Sequence, residues 1–149
     1  MSLNMKKCRA EVLLIEDNPG DILLVKEILM TNTESINLNV VTNGEDALAF
    51  LHRSGEFSGA PEPDLMILDL NLPKISGKGI LEEMNKDLRL KNIPVIVFSS
   101  AEMDDNIFIN SSYNIKYYLV KPLDLDEYIA AVQFMKDFIN SMLNQENKS

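Results

Sequence analysis

The segment Asp64-Leu65-Met66-Ile67-Leu68-Asp69-Leu70-Asn71-Leu72-Pro73 contains four apolar residues that lead directly into Asp69. A short apolar run that ends in a carboxylate is typical of a buried strand that brings a charged side chain to the rim of a sheet. Three other apolar runs also end in polar residues. Val12 to Ile15 is followed by Glu16 and Asp17, Val95 to Phe98 by Ser99 and Ser100, and Tyr117 to Val120 by Lys121. If the four strands are parallel, their polar ends meet at one edge, with Asp69 at its centre.

The composition predicts one acidic globular domain. The chain has 149 residues, of which 46% are hydrophobic, and this is enough for a single core. Its net charge of −9 disfavours direct binding to nucleic-acid phosphate. No apolar run approaches the roughly 18 residues of a membrane span. Because Cys8 is the only cysteine, there is no disulfide framework, and we expect a cytoplasmic protein.

Apolar periodicity predicts five strands that alternate with five helices, without an internal repeat. Strict alternation of this kind predicts a parallel sheet with helices on both faces. The second strand, Ile36 to Val40, alternates apolar and polar residues and should therefore lie at an edge. The fourth helix, Glu102 to about Tyr113, has few apolar anchors. The fifth starts after the capping-box sequence at Asp124 and runs to about Leu143.

Three carboxylates, on Glu16, Asp17 and Asp69, should lie close together at the carboxyl edge of this sheet. Like charges at such range repel, so either one carboxyl holds a proton or a cation lies between them. Oxygen ligands without histidine or cysteine favour Mg²⁺ over zinc. Single acidic residues at strand ends are commonly solvated or cap helices, but three of them together with Ser99 and Lys121 favour a functional site.

The remaining two side chains suit a tetrahedral anion. Lys121 offers an ammonium charge and Ser99 a hydroxyl donor. An aspartate in such surroundings, here Asp69, can attack a phosphoryl group and form an acyl phosphate. A cation and Lys121 would neutralise the transferred oxygens.

The chain resembles the response-regulator receiver domains of two-component signalling over about residues 10–140. Each motif position of that family is filled. Glu16 and Asp17 match the acidic pair, Asp69 the phosphoacceptor, Ser99 the Thr/Ser position 30 residues later, Lys121 the lysine 22 residues further on, and Tyr118 the switch aromatic. The two departures, Glu for the commoner first Asp and Ser for the commoner Thr, keep the chemistry.

The resemblance implies a flavodoxin-like (βα)5 three-layer sandwich with a parallel sheet of order 2-1-3-4-5. It implies Mg²⁺ as cofactor, bound by Asp17, Asp69 and the backbone carbonyl of Asn71, with Glu16 helping through water. It also implies a phosphoacceptor domain that supports its own phosphotransfer and autodephosphorylation. We expect an N-terminal extension at 1–9, a receiver domain at 10–143 and a polar tail at 144–149.

The segment Leu68 to Pro73 and the long loop Ser54 to Pro63 resemble stand-alone receivers, including those paired with phytochromes. The implied upstream partner is a sensor histidine kinase, for which a phytochrome-like protein is a candidate. The chain stops after the fifth helix, so we expect output through protein contacts, either a homodimer or a downstream partner. The surface for these contacts would comprise the fourth predicted helix, the fifth strand and the fifth helix.

The resemblance also implies a switch. Once Asp69 is phosphorylated, Ser99 would donate to a phosphoryl oxygen and Tyr118 would rotate inward. Tyr117 should point to the opposite face and pack, and His52 should be a solvated surface residue.

Two other functions fit parts of the pattern. One is a protein-binding module that keeps the fold without phosphorylation, although the complete motif argues against it. The other is a phosphatase with an aspartyl nucleophile, but such enzymes usually need a second acid two residues after the nucleophile. Asn71 occupies that position and cannot serve as a general acid.

Overall fold

Five parallel strands form one sheet in the order β2-β1-β3-β4-β5, which confirms the predicted flavodoxin-like topology. The computed structural model describes residues 9–100 and 112–148. The strands are β1 (Ala10–Ile15), β2 (Ile36–Val41), β3 (Leu65–Leu68), β4 (Val95–Ser99) and β5 (Ile115–Val120).

In the described ranges, a helix follows each of β1, β2, β3 and β5. These helices are α1 (Pro19–Met30), α2 (Gly44–His52), α3 (Gly77–Asn85) and α4 (Leu125–Lys148), with a short 3₁₀ turn at Gly55–Phe57. Residues 101–111, which make up most of the fourth predicted helix, lie outside the described residues, as does Cys8. None of the described helices combines the length and the apolar character needed to cross a membrane.

Two apolar layers enclose the sheet. On one face the strands pack against Val25 and Leu29 of α1 and against Val132 and Met135 of α4. On the other face they pack against α2 and α3, through residues such as Phe50. Because β1, β3 and β4 are covered on both faces, their sequences are almost continuously apolar. In β2 only the two terminal residues are buried, as expected for an edge strand.

Two helix ends differ from the prediction. The apolar pattern of the third helix predicts a span from about Gly77 to Asp87, but α3 ends at Asn85. The Asp87 carboxylate accepts hydrogen bonds from the backbone N–H groups of Arg89 and Leu90 and forms a turn there. Helix α4, which corresponds to the fifth helix predicted from the sequence, continues to Lys148, beyond its predicted end near Leu143. The last residues are polar but contain no glycine or proline, so nothing in them stops the helix.

The helix N-termini lie at the same edge as the carboxyl ends of the strands. Asn18 caps α1 by accepting from the Asp21 N–H at 3.0 Å. Asp124 caps α4 in the same way, accepting from the Glu127 N–H at 3.0 Å. Asn and Asp are among the residues most favoured at this position, and the cap at Asp124 was predicted from the sequence. As a result, the first turns of α1 and α4 adjoin the polar ends of the strands.

Candidate functional site

The register of the sheet brings the polar strand ends together. Ile15 of β1 pairs with Leu68 of β3, so the following residues, Glu16 and Asp69, are neighbours. The Asp69 N–H donates to the Ile15 carbonyl at 3.0 Å. On the other side, the N–H of Lys121 donates to the carbonyl of Ser99 at 2.9 Å, which aligns the ends of β4 and β5.

Asp69 lies at the centre of the edge and is only 4% exposed. Its Oδ1 accepts two hydrogen bonds, from Ser99 Oγ at 2.8 Å and from the Asn71 N–H at 3.2 Å. Its Oδ2 faces the Lys121 ammonium at 3.7 Å. The carboxylate is therefore held in a fixed orientation, as a nucleophile for group transfer requires.

The loop after Asp69 is fixed by a close backbone contact. A Cβ on Gly77 would lie 2.7 Å from the Asp69 carbonyl oxygen and 2.7 Å from Leu70 Cα. The Gly77 N–H instead donates to the carbonyl of Leu70 at 3.1 Å. The start of α3 can approach the site this closely because residue 77 is glycine.

Lys121 is bonded to carboxylates on two other elements. Its Nζ lies 2.6 Å from Glu16 Oε1 and 3.0 Å from Asp21 Oδ2. Burial alone would lower the pKa of Lys121, but these hydrogen bonds and the nearby negative charge outweigh it, so the pKa lies above its usual value. The ammonium is therefore fully charged near neutral pH.

Glu16 is 2% exposed and has an unusual protonation equilibrium. Burial raises the pKa of Glu16 to about 7, and the neighbouring charge of Asp69 adds to this, despite the hydrogen bond from Lys121. Its second oxygen accepts from the Asn18 N–H at 3.1 Å. Lys121 alone thus does not neutralise the acidic cluster.

The acidic cluster suits a hard divalent cation. Glu16, Asp17 and Asp69 each offer one carboxylate oxygen, and these oxygens lie within 4.8 Å of one another. Asp17 is exposed, so the cluster opens to solvent on that side. Oxygen ligands and excess negative charge are what Mg²⁺ or Mn²⁺ requires. The role predicted for the Asn71 carbonyl stays a prediction.

Two residues of the site were not predicted. Asp21 accepts a hydrogen bond from Lys121, and the hydroxyl of Tyr128 donates to its other oxygen at 2.6 Å. Asp21 also fits the positive end of the α1 dipole, and this explanation alone would hide its contact with Lys121. Both residues lie in the first turn of a helix that begins at the carboxyl edge of the sheet, and this position is the signal that could have identified them.

Tyr117 and His52 lie where their patterns indicated, whereas Tyr118 is already buried, although an inward rotation on phosphorylation implies an outward starting position. Tyr118 is buried in the layer between the sheet and helices α2 and α3. Tyr117 points to the opposite face, where its ring packs edge-on against Phe134 and Phe138 of α4. His52 is an exposed residue at the end of α2, and its Nδ1 lies 4.0 Å from Asp87.

Comparison with known proteins identifies the family. The response regulator receiver domain family matches residues 12–133. The chain belongs to this family. The receiver domain is similar to the response regulator Rcp1 of Synechocystis sp., with 36% identity over 127 residues that cover 85% of this chain and 86% of Rcp1.

Two solved structures show the same similarity. The Mn²⁺-bound form of Rcp1 matches the receiver domain with a TM-score of 0.80 and 36% identity, over 87% of this chain and 93% of the other. The phosphorylated cyanobacterial phytochrome response regulator RcpA matches with a TM-score of 0.82 and 36% identity, over 90% of this chain and 96% of the other.

Family membership gives the class of function. A receiver domain is a signalling phosphoacceptor domain of two-component systems, and receiver domains pair with sensor histidine kinases. Receiver domains act as phosphoacceptors and not as conventional enzymes. Family membership therefore favours a phosphoacceptor over an aspartyl phosphatase. The similarity to phytochrome-associated response regulators confirms the predicted subgroup.

Proposed function

We propose that this protein is a single-domain response regulator whose phosphoacceptor is Asp69. The observation that carries the proposal is the setting of this carboxylate. It is buried at the centre of the sheet edge, its Oδ1 is bonded to Ser99, and its Oδ2 faces Lys121. Nucleophile, hydroxyl donor and ammonium converge on the volume that a phosphoryl group attached to Asp69 would occupy.

The phosphoryl donor is a phosphohistidine of a sensor kinase. An oxygen of Asp69 attacks phosphorus, a P–O bond forms, and the P–N bond to the donor imidazole breaks. Lys121 and Ser99 stabilise the charge that collects on the transferred oxygens. Later hydrolysis of the acyl phosphate by water returns Asp69 to the carboxylate, so the domain supports its own dephosphorylation.

Mg²⁺ is the proposed cofactor. Asp17, Asp69 and the Asn71 backbone carbonyl would hold it, with Glu16 acting through water, and when bound it supplies positive charge to the phosphoryl oxygens. The proximity of the three carboxylates supports this set, and Rcp1, a similar protein, has been solved with Mn²⁺ bound.

Phosphorylation would act as a charge switch. It adds about −1.5 to −2 charges and new acceptor oxygens at Asp69. Ser99 would then donate to the phosphoryl group, and the side chain of Tyr118, which is already buried, would change its rotamer within the layer between the sheet and helices α2 and α3. Because Tyr118 lies on the same strand as the exposed Val120, this movement would alter the outer face of β5.

The proposed output surface includes β5 and α4, together with residues 102–113. Several apolar side chains are exposed there, namely Val120, Leu123, Leu125, Ile129 and Phe134. Apolar groups on the surface favour protein contacts, so the output would be a homodimer or a downstream protein. The upstream partner would be a phytochrome-like histidine kinase, given the similarity to RcpA. We propose that the contacts with the kinase and with the output partner both form in the cytoplasm.

A phosphate-affinity gel tests the proposed function. Wild-type protein is incubated with acetyl phosphate and Mg²⁺, beside Asp69→Asn and a sample with EDTA. We expect a retarded band only for wild-type protein with Mg²⁺, and none for Asp69→Asn or for the sample with EDTA. If the wild type gives no retarded band, the proposal is wrong. Release of inorganic phosphate from simple phosphomonoesters would instead favour an aspartyl phosphatase.

A further inference from the structure

The ammonium of Lys121 lies in a position set by two carboxylates other than Asp69. Its Nζ is 2.6 Å from Glu16 and 3.0 Å from Asp21, whereas Asp69 Oδ2 is 3.7 Å away, beyond hydrogen-bond distance. An ammonium has three N–H donors. Two are used by Glu16 and Asp21, which leaves one for an acceptor on the Asp69 side.

Asp21 is itself held in place from the opposite side. The Tyr128 hydroxyl donates to Asp21 Oδ1 at 2.6 Å, while Lys121 occupies Oδ2. Tyr128 is 6% exposed, and its ring packs edge-on against Phe98 with 5.2 Å between centroids. Phe98 immediately precedes Ser99 at the end of β4. A rigid aromatic ring in the core therefore fixes a carboxylate that in turn contacts the ammonium.

We propose that Asp21, oriented by the hydroxyl of Tyr128, is a positioning residue that holds the Lys121 ammonium ready to contact a phosphoryl group on Asp69. This inference rests on the proposed function. It adds a chain of three residues, from the first turn of α4 through the first turn of α1 to the end of β5, to the groups that surround Asp69.

Asp21 can hold Lys121 independently of the cation. Glu16, the other carboxylate bonded to Lys121, belongs to the acidic cluster that would serve the metal, whereas Asp21 lies outside that cluster. When a bound cation competes with Lys121 for the Glu16 carboxylate, Asp21 still holds the ammonium. A lysine side chain has large conformational freedom, so without this anchor its charge would spend less time near the transferred oxygens.

Tyr128→Phe removes only the hydroxyl and leaves the packed ring, and Tyr117→Phe is the matched control. Tyr117 is also an aromatic residue packed between the sheet and α4, but its ring contacts only phenylalanines among the described aromatic pairs. We expect Tyr128→Phe to slow phosphorylation by acetyl phosphate about 3-fold to 10-fold, the worth of one hydrogen bond. Mg²⁺ affinity measured by calorimetry should change less than about 2-fold, and the control should match the wild type.

A second readout needs neither metal nor phosphoryl donor. In the metal-free wild type, the Lys121 Nζ–H signal in ¹⁵N NMR should be protected from exchange with water. Tyr128→Phe should shift or broaden it, and Tyr117→Phe should not. If this signal and the phosphorylation rate are both unchanged in Tyr128→Phe, the inference is wrong. A faster rate would also overturn it, because it would show that Asp21 holds Lys121 back.

Asp21→Asn completes a double-mutant cycle. If Tyr128 acts through Asp21, the double variant should be no slower than Asp21→Asn alone, whereas independent roles would give multiplied losses and overturn the proposed chain. Failure of the wild type to become phosphorylated would refute the proposed function. The NMR signal of Lys121 would still decide whether Asp21 and Tyr128 position the ammonium.

Discussion

Ser99 Oγ donates to Asp69 Oδ1 at 2.8 Å, a bond that joins residues 30 positions apart at the ends of β4 and β3. Both residues are buried. In the unphosphorylated chain, the Ser99 hydroxyl is thus hydrogen-bonded to one carboxylate oxygen of the proposed phosphoacceptor. Phosphorylation would replace that partner with a phosphoryl oxygen farther from the backbone, and the hydroxyl would have to follow.

Substitution of Ser99 should separate phosphorylation from switching. Ser99→Ala removes a donor to the transferred oxygens, so we expect phosphorylation to become slower but still occur, while the NMR signals of Tyr118 no longer respond to it. The lost bond should cost about 1 kcal/mol of unfolding free energy. Ser99→Thr is the control, since it retains the hydroxyl and should respond like the wild type. A full response of Tyr118 in Ser99→Ala would contradict the proposed coupling.

Glu16 should make the metal-free protein less stable as pH rises. Burial raises the pKa of its carboxyl from 4.5 to about 7, so between these values the folded state binds more protons than the unfolded state. The free energy of unfolding therefore falls as pH rises through that window. Urea titrations at pH 5 to 8 (about one-unit steps) would show this decline in the wild type. The decline should be smaller in Glu16→Gln, and identical pH profiles would refute this account of Glu16.

Asp17 should bind the cation but reduce the unfolding free energy of the metal-free protein. Asp17→Asn removes a ligand and a repulsive charge, so we expect Mg²⁺ affinity to fall about 10-fold or more while metal-free stability stays equal or rises by up to about 1 kcal/mol. Calorimetry and urea unfolding measure the two quantities. Asp137→Asn, an exposed carboxylate in α4, is the control and should change neither. Unchanged Mg²⁺ affinity in Asp17→Asn would exclude Asp17 as a ligand.

Gly77 should be intolerant of any side chain. Gly77→Ala would place a Cβ 2.7 Å from the Asp69 carbonyl oxygen, so the loop must shift. We expect a loss of about 1–3 kcal/mol in unfolding free energy and weaker Mg²⁺ binding. Gly59→Ala is the matched control, because a Cβ there meets nothing within 4 Å. Equal effects of the two substitutions would show that the close contact at Gly77 does not matter.

The main features of the site could be predicted because they depend on strand ends. In a parallel sheet, the residue after each buried run reaches the carboxyl edge whatever the helices do. Asp69, Ser99 and Lys121 follow from this rule, and the structure brings them together. The parallel sheet with helices on both faces follows from the alternation of the elements, and the edge position of β2 from its half-polar pattern, whereas the full strand order came from the resemblance to receiver domains.

The contact between Asp21 and Tyr128 could not be predicted in the same way. It depends on how α1 and α4 lie side by side on the sheet, and apolar periodicity gives the buried face of each helix but not their relative position. The end of α4 was missed for a different reason. A polar segment without glycine or proline can continue a helix or adopt a non-helical conformation, and composition does not decide between these outcomes.

Chemical mapping of the phosphorylated residue tests the central claim most directly. An acyl phosphate is reduced by borohydride to the alcohol, which converts a phosphorylated aspartate to homoserine. Wild-type protein treated with acetyl phosphate and Mg²⁺ is reduced, digested and sequenced by mass spectrometry. We expect homoserine at position 69, and none there when acetyl phosphate is omitted. Phosphorylated wild-type protein that carries homoserine at another aspartate, or retains Asp69 unchanged, would contradict the account.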